Sequence, residues 1–131
     1  MAIYGIGAYV NSEDVCVKFI KRKIVGVGWD YESAPDLHEF LKSMKVGDII
    51  YIKSAPPGGD VTVKAIGIII DNELVNDDIV RIGRHVNWVN KQGFVFKPSE
   101  IEGKNNVRSN TIYEEFSPNA QKRILKEFKF I

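Results

Sequence analysis

The chain is poor in the residues that most often do chemistry. It has a single cysteine, Cys16, so no intramolecular disulfide can form, and a lone thiol predicts a reducing compartment, the cytoplasm. Its two histidines, His38 and His85, stand without a spaced ligand partner, which excludes the zinc patterns that a sequence can reveal. There is no phosphate-cradling P-loop and no nucleophile elbow, and Gly26-Val27-Gly28 is too short for a dinucleotide fingerprint. No apolar run approaches the roughly 20 residues of a membrane span. Met1-Ala2-Ile3-Tyr4-Gly5 lacks the basic segment that leads a signal core. With 18 basic and 17 acidic side chains the formal net charge is +1, so the strongly basic footprint of a protein gripping duplex DNA through many phosphates is missing. These absences predict no catalytic residue, no metal, no cofactor and no membrane contact.

What is present is an ordinary globular composition. At 131 residues, 44% apolar and 27% charged, the chain has the length for one closed core and not for two, so residues 1–131 read as a single domain. Ile3 to Val10 mixes β-branched and aromatic residues and reads as a first strand, with a turn at Asn11-Ser12-Glu13-Asp14. Val15 to Ile20 alternates Val15, Val17 and Phe19 against Cys16, Lys18 and Ile20, the pattern of a second strand. Ile24 to Asp30 is a short apolar strand opened up by Gly26 and Gly28. Ser33-Ala34-Pro35-Asp36 offers a capping hydroxyl, an acid three residues later and a proline in the first turn. Leu37, Phe40, Leu41 and Met44 then make one helical stripe, and Val46-Gly47-Asp48 ends it.

Further strands are Ile49 to Lys53, Val61 to Asp71, Ile79 to Val89, Phe94 to Phe96 and Thr111 to Tyr113. Val61 to Asp71 is apolar on both faces with Gly67 in the middle, which predicts a central, strongly curved strand. Residues 54–60 and 99–110 read as loops, and Ser117-Pro118 caps a last helix with the stripe Ile124, Leu125 and Phe128. The order predicts an α+β fold: a small β-barrel of about five to seven strands with one helix inserted early and one at the C-terminus.

The candidates for function are aromatic. Trp29 follows a Gly-x-Gly strand end, where an element stops and side chains face a cleft, and Asp30 and Tyr31 come directly after it. Trp88 ends a later strand. The ordinary alternative for both indoles is core filling, the more so for Trp88, which shares its parity with Val80, Ile82, Arg84 and Val86. Two indoles with Tyr9 or Tyr31 nearby would stack a planar base at about 1–3 kcal/mol per contact. Asp30, Ser54 or backbone groups would read its hydrogen-bonding edge. Lys21-Arg22-Lys23, Lys53, Lys104 and Arg108 are the candidate cationic rim for phosphates, although the first three also suit a solvated turn.

The succession Val25-Gly26-Val27-Gly28-Trp29, Leu37…Phe40-Leu41 and Lys45-Val46-Gly47-Asp48-Ile49-Ile50 resembles the PUA-like superfamily, and within it the EVE and YTH branch. Ala65-Ile66-Gly67-Ile68-Ile69, Arg84-His85-Val86-Asn87-Trp88-Val89 and Thr111-Ile112-Tyr113-Glu114 extend the resemblance over about residues 3 to 116. It implies a small β-barrel flanked by helices that takes an unpaired or flipped-out base into an aromatic cage. EVE-like members, some linked to modification-dependent restriction, read modified bases in DNA, and YTH members read methylated adenine in RNA. By position Trp29 matches the cage tryptophan, and Trp88 matches a tryptophan of variable role. The implied partner is DNA or RNA carrying a modified base, with a protein partner supplying any effector activity. Two alternatives stand beside it. One is a PUA-like hydrolase of ASCH type acting on a modified nucleoside, whose Gly-x-Lys-x-x-x-Glu-x-Arg signature is absent here. The other is a stand-alone protein-interaction domain of phage or mobile-element origin.

Overall fold

A computed structural model describes residues 1–54, 60–96 and 110–128. The fold is α+β: a curled, mixed seven-stranded sheet with three helices. The strands are β1 (Ile3–Gly7), β2 (Tyr9–Val10), β3 (Glu13–Asp14), β4 (Ile24–Val27), β5 (Ile49–Ser54), β6 (Val61–Ile69), β7 (Ile82–Asn90), β8 (Phe94–Phe96) and β9 (Ile112–Glu114). The helices are α1 (Cys16–Arg22), α2 (Pro35–Ser43) and α3 (Pro118–Phe128). The sheet runs β4-β7-β6-β5-β1-β9, with β8 on β6. Among the described residues its end strands, β4 and β9, do not pair, so the barrel expected from the sequence is an open half-barrel. No described helix is long and apolar enough to cross a membrane.

The sheet is buried on both faces. Ile50, Ile52, Ala65, Val86 and Trp88 join Phe19 of α1 and Leu41 of α2 in one core. Ile49, Tyr51, Val63 and Tyr113 face the other way and are covered by Ala120 and Ile124 of α3. This explains why β5 and β6 read as nearly continuous apolar runs. Gly67 sits where β6 shifts register against β7, and a Cβ there would lie 2.4 Å from a Val86 methyl carbon. The glycine is what lets the two strands approach and bend.

Four expectations are corrected. The run Val15 to Ile20 is not a strand but leads into and forms most of α1: Val15, Cys16 and Phe19 are buried, while Val17 is 78% exposed. A helical period fits this pattern better than alternation does, and Asp14 Oδ1 starts the helix by accepting from the Cys16 N–H at 2.9 Å. Lys21 and Arg22 form its last turn, where positive charge suits the helix dipole, and Lys23 closes it in a left-handed conformation at φ +59°. The first strand also breaks at Ala8. Beyond it Tyr9–Val10 folds back on Glu13–Asp14 through Asn11 and Ser12, whose positive φ values (53° and 63°) fit a two-residue hairpin turn. Finally, α2 is capped by Ala34 and not by a serine hydroxyl, and β7 begins at Ile82, because Asp77 Oδ1 holds the Ile79 and Val80 N–H groups in a turn.

Arg84 shows how tightly the far side is closed. Its guanidinium is buried under α2 and donates to the carbonyls of Leu41, Met44 and Asp71. Carbonyls left over at a helix end are thus satisfied by a side chain from the sheet.

Candidate functional site

At the ends of β1 and β4 the curl of the sheet leaves a cleft of about 640 Å³. Its walls come from Gly7, Ala8, the β2–β3 hairpin, Gly28, Trp29, Lys53, Ser54, Lys64 and Thr111. Gly28 is required by packing: a Cβ would lie 2.6 Å from Val10 Cγ1, so any side chain would push the hairpin off the end of β4. The chain therefore leaves β4 beneath the hairpin and presents Trp29 at the mouth, 51% exposed.

Trp29 is exposed but not loose. His38, buried on α2, donates from Nε2 to the Trp29 carbonyl at 2.7 Å, which fixes the ring tautomer as well as the backbone. Asp30 Oδ1 accepts from the Ser33 N–H at 2.8 Å, and the Asp30 carbonyl accepts from the Ala34 N–H at 3.1 Å. The Ser33 N–H bond holds the Asp30 carboxyl below its usual range. These bonds tie the loop to the start of α2, so the indole is presented on a preorganised support.

The two lysines of the cleft differ. Lys64 lies on β6 at a bulge: Ile52 pairs with Ala65 and Lys53 with Val63, which leaves Lys64 as the extra residue. Bulges re-aim a side chain in this way. Its ammonium meets Asp14 Oδ2 of the hairpin at 3.2 Å. Lys53 was expected on an outer rim, but it is only 7% exposed. Its amine donates to the Asn110 carbonyl at 2.6 Å and stands 5.6 Å from the centre of the Tyr113 ring. No carboxylate pairs with it among the described residues, and burial lowers its pKa to about 8.

The structure thus brings Trp29, Tyr9, Ser54 and Lys53 to one cleft, with Tyr9 67% exposed on the hairpin. It does not bring the others there. Trp88 is core, 8% exposed, with its indole N–H donated to the Phe19 carbonyl at 3.1 Å. Asp30 is engaged at the entrance to α2, and Tyr31 lies edge-on to His38 with the Lys42 ammonium over its ring. Lys21 and Lys23 end α1, and Arg22 is paired with Asp77 and Asp78. Lys104 and Arg108 lie outside the described residues.

Four contributors were missed by sequence reasoning: Lys64, Thr111, the hairpin turn Asn11-Ser12 and His38. A lysine inside the otherwise apolar β6 was a readable signal for the first; the others depend on contacts far apart in the chain. His85, expected to stand alone, bonds Asp71 Oδ2 through Nδ1 at 2.9 Å, with Glu73 3.9 Å away. Asp71, Glu73 and His85 form a grouping of ligand-type atoms within 4.8 Å of one another, away from the cleft lining. Asp71 bonds the His85 ring and the Glu73 backbone N–H, while the Glu73 carboxylate stands at 3.9 Å from the ring.

Residues 30–115 match a family described as a domain of unknown function, DUF8426. The match covers more than half of the chain, and the protein belongs to that family. Lys53, Ser54, Lys64 and Thr111 fall inside the matched range, whereas the wall built by β1, the hairpin and Trp29 precedes it. No curated protein matches the chain.

Proposed function

We propose that this member of the family is a nucleic-acid-binding reader that takes a modified, flipped or unpaired base of DNA or RNA into the cleft, flat against Trp29. The observation that carries the reading is a half-exposed indole fixed by backbone bonds at the mouth of an open cleft. A volume of about 640 Å³ lies in the range of small-molecule sites, ample for one heterocycle. Stacking is worth about 1–3 kcal/mol per base, which offsets much of the few kcal/mol needed to flip one. Ser54 and Thr111, both lining the cleft, carry hydroxyls suited to hydrogen-bond a base, and Lys64 is a cation suited to one phosphate. The resemblance to the EVE and YTH branch of PUA-like domains supports the same reading, as does the curled sheet flanked by helices. On this reading the protein works in the cytoplasm, with a separate protein providing any effector step.

A hydrolase of ASCH type is the second reading, because Lys53 and Thr111 both line the cleft. It lacks the acid of such a set: among the described residues no carboxylate lines the wall.

Fluorescence anisotropy with single-stranded oligonucleotides carrying different modified bases tests the proposal. The expected result is one preferred modification, at least tenfold loss in Trp29→Ala with an unchanged circular dichroism spectrum, and a shallow salt slope of about −1 to −2. Equal binding by wild type and Trp29→Ala would refute it, and release of product from a modified nucleoside by pure protein would favour the hydrolase.

A further inference from the structure

We propose that Lys53 is a nucleophilic amine that captures a planar, aldehyde-bearing ligand in the cleft as an imine. Naming that ligand as a nucleotide whose base carries a formyl group rests on the reader reading above.

Lys53 is built unlike a phosphate anchor. An anchor keeps its ammonium hydrated or paired, as Lys64 does with Asp14. The Lys53 amine instead lies in the wall with one acceptor, the Asn110 carbonyl, and no carboxylate among the described residues. One N–H given to that carbonyl leaves the lone pair of the neutral amine available. Gly7 has no side chain to occupy the space beside Nζ, which a Cβ there would contact at 3.9 Å. The ionisable groups around it are Lys64 on β6, with Asp14 bound to it, and Tyr9 on the hairpin. On β9 there is Tyr113, whose hydroxyl lies 2.8 Å from that of Tyr51. Among the described residues none provides a negative charge beside Nζ; burial there lowers its pKa, and a share of the amine is neutral near pH 8.

The chemistry balances without a cofactor. The Nζ lone pair adds to the aldehyde carbon while the C=O π pair moves to oxygen. A proton passes from nitrogen to that oxygen, through water in the open cleft, to give a carbinolamine. Loss of the hydroxyl with the second nitrogen proton leaves C=N and one water. Trp29 would hold the flat ring while Lys53 fixes its substituent, so a formyl group would be told from a methyl group by a bond that the methyl group cannot form.

The test exposes the full chain to 5-formyl-2′-deoxycytidine 5′-monophosphate with sodium cyanoborohydride and maps adducts by peptide mass spectrometry. The expected result is labelling of Lys53 at least tenfold faster than any other lysine, with a rate that rises with pH and a midpoint near 8. K53R should give no adduct at that position, and mapping on the wild type keeps the result independent of whether K53R folds. Labelling spread evenly over exposed lysines, or none at Lys53, would overturn the proposal. Two further arms separate it from the reader reading. If benzaldehyde labels Lys53 as fast as the formyl nucleotide does, the amine is confirmed and base recognition fails. If unmodified dCMP quenches Trp29 fluorescence while the formyl nucleotide leaves no adduct, recognition stands and the nucleophile is overturned.

Discussion

Trp88 lies in β7 and Trp29 two residues beyond its neighbour β4, yet they end in opposite circumstances. Trp88 runs into the core beside α1, where its N–H has an acceptor and its ring has apolar neighbours. Trp29 leaves β4 beneath the hairpin and stands half in solvent, held only through its backbone. Arg84 and Lys53 repeat the contrast. Arg84 is spread over three carbonyls that need donors, whereas Lys53 has one. Around Trp88 and Arg84 nearly every donor is met, the buried Arg84 Nε being left without an acceptor among the described residues, and this region is structure. Around Trp29 and Lys53 the side chains are left incomplete, which costs stability and leaves room for a ligand to supply the missing contacts.

The largest effect expected from this contrast is on Trp88. Trp88→Ala should cost about 3–5 kcal/mol, enough to unfold much of a small domain, whereas Trp29→Ala should shift the urea midpoint little while abolishing ligand binding. Similar losses in the two variants would erase the distinction. Arg84→Leu should cost about 2–4 kcal/mol, because three carbonyls lose their donors.

Lys53→Met should act in the opposite direction and stabilise the protein at pH 7 by up to about 3 kcal/mol. Lys53 binds its proton less tightly when folded, at about 8 against an ordinary 10.5. Below the folded value both states carry the charge and the folded state bears the full desolvation penalty. Between the two values the unfolded chain keeps a proton that the folded chain has lost, so wild-type stability rises with pH in that window. Urea titrations at pH 7 and pH 10 should therefore find the gain from Lys53→Met shrinking as pH rises.

His38→Ala should cost about 1–2 kcal/mol of stability and weaken ligand binding several-fold, since it frees the Trp29 backbone without touching the ring. Hydrogen exchange across residues 28–34 would register that loosening. At the small end, Arg22→Ala should leave both the unfolding midpoint and binding unchanged, because its partners lie at the surface and it is not part of the cleft.

The central strands and the stripes of α2 and α3 were legible because burial on one or both faces leaves its period in the sequence. The parity of β7 was legible too: Ile82, Arg84, Val86 and Trp88 are all buried, the arginine included, as is Val80 in the turn before it. The region around α1 was not. Over six residues, apolar positions at 15, 17 and 19 suit a strand as well as 15, 16 and 19 suit a helix, and only the packing of Phe19 decides between them. Trp29 announced itself by the glycine before it. Lys64 stood out as a lysine in a mostly apolar strand, but neither the bulge that turns it nor the inward direction of Lys53 was legible, since both depend on the register of β5 against β6.

On the proposed reading one indole is a binding platform and the other is core, and the two indole N–H resonances report on them separately. In an NMR titration with a panel of modified mononucleotides, the account predicts that the Trp29 indole signal moves saturably with at least one ligand while the Trp88 signal stays in place. A Trp29 signal that never moves, or two signals that move together, would contradict it.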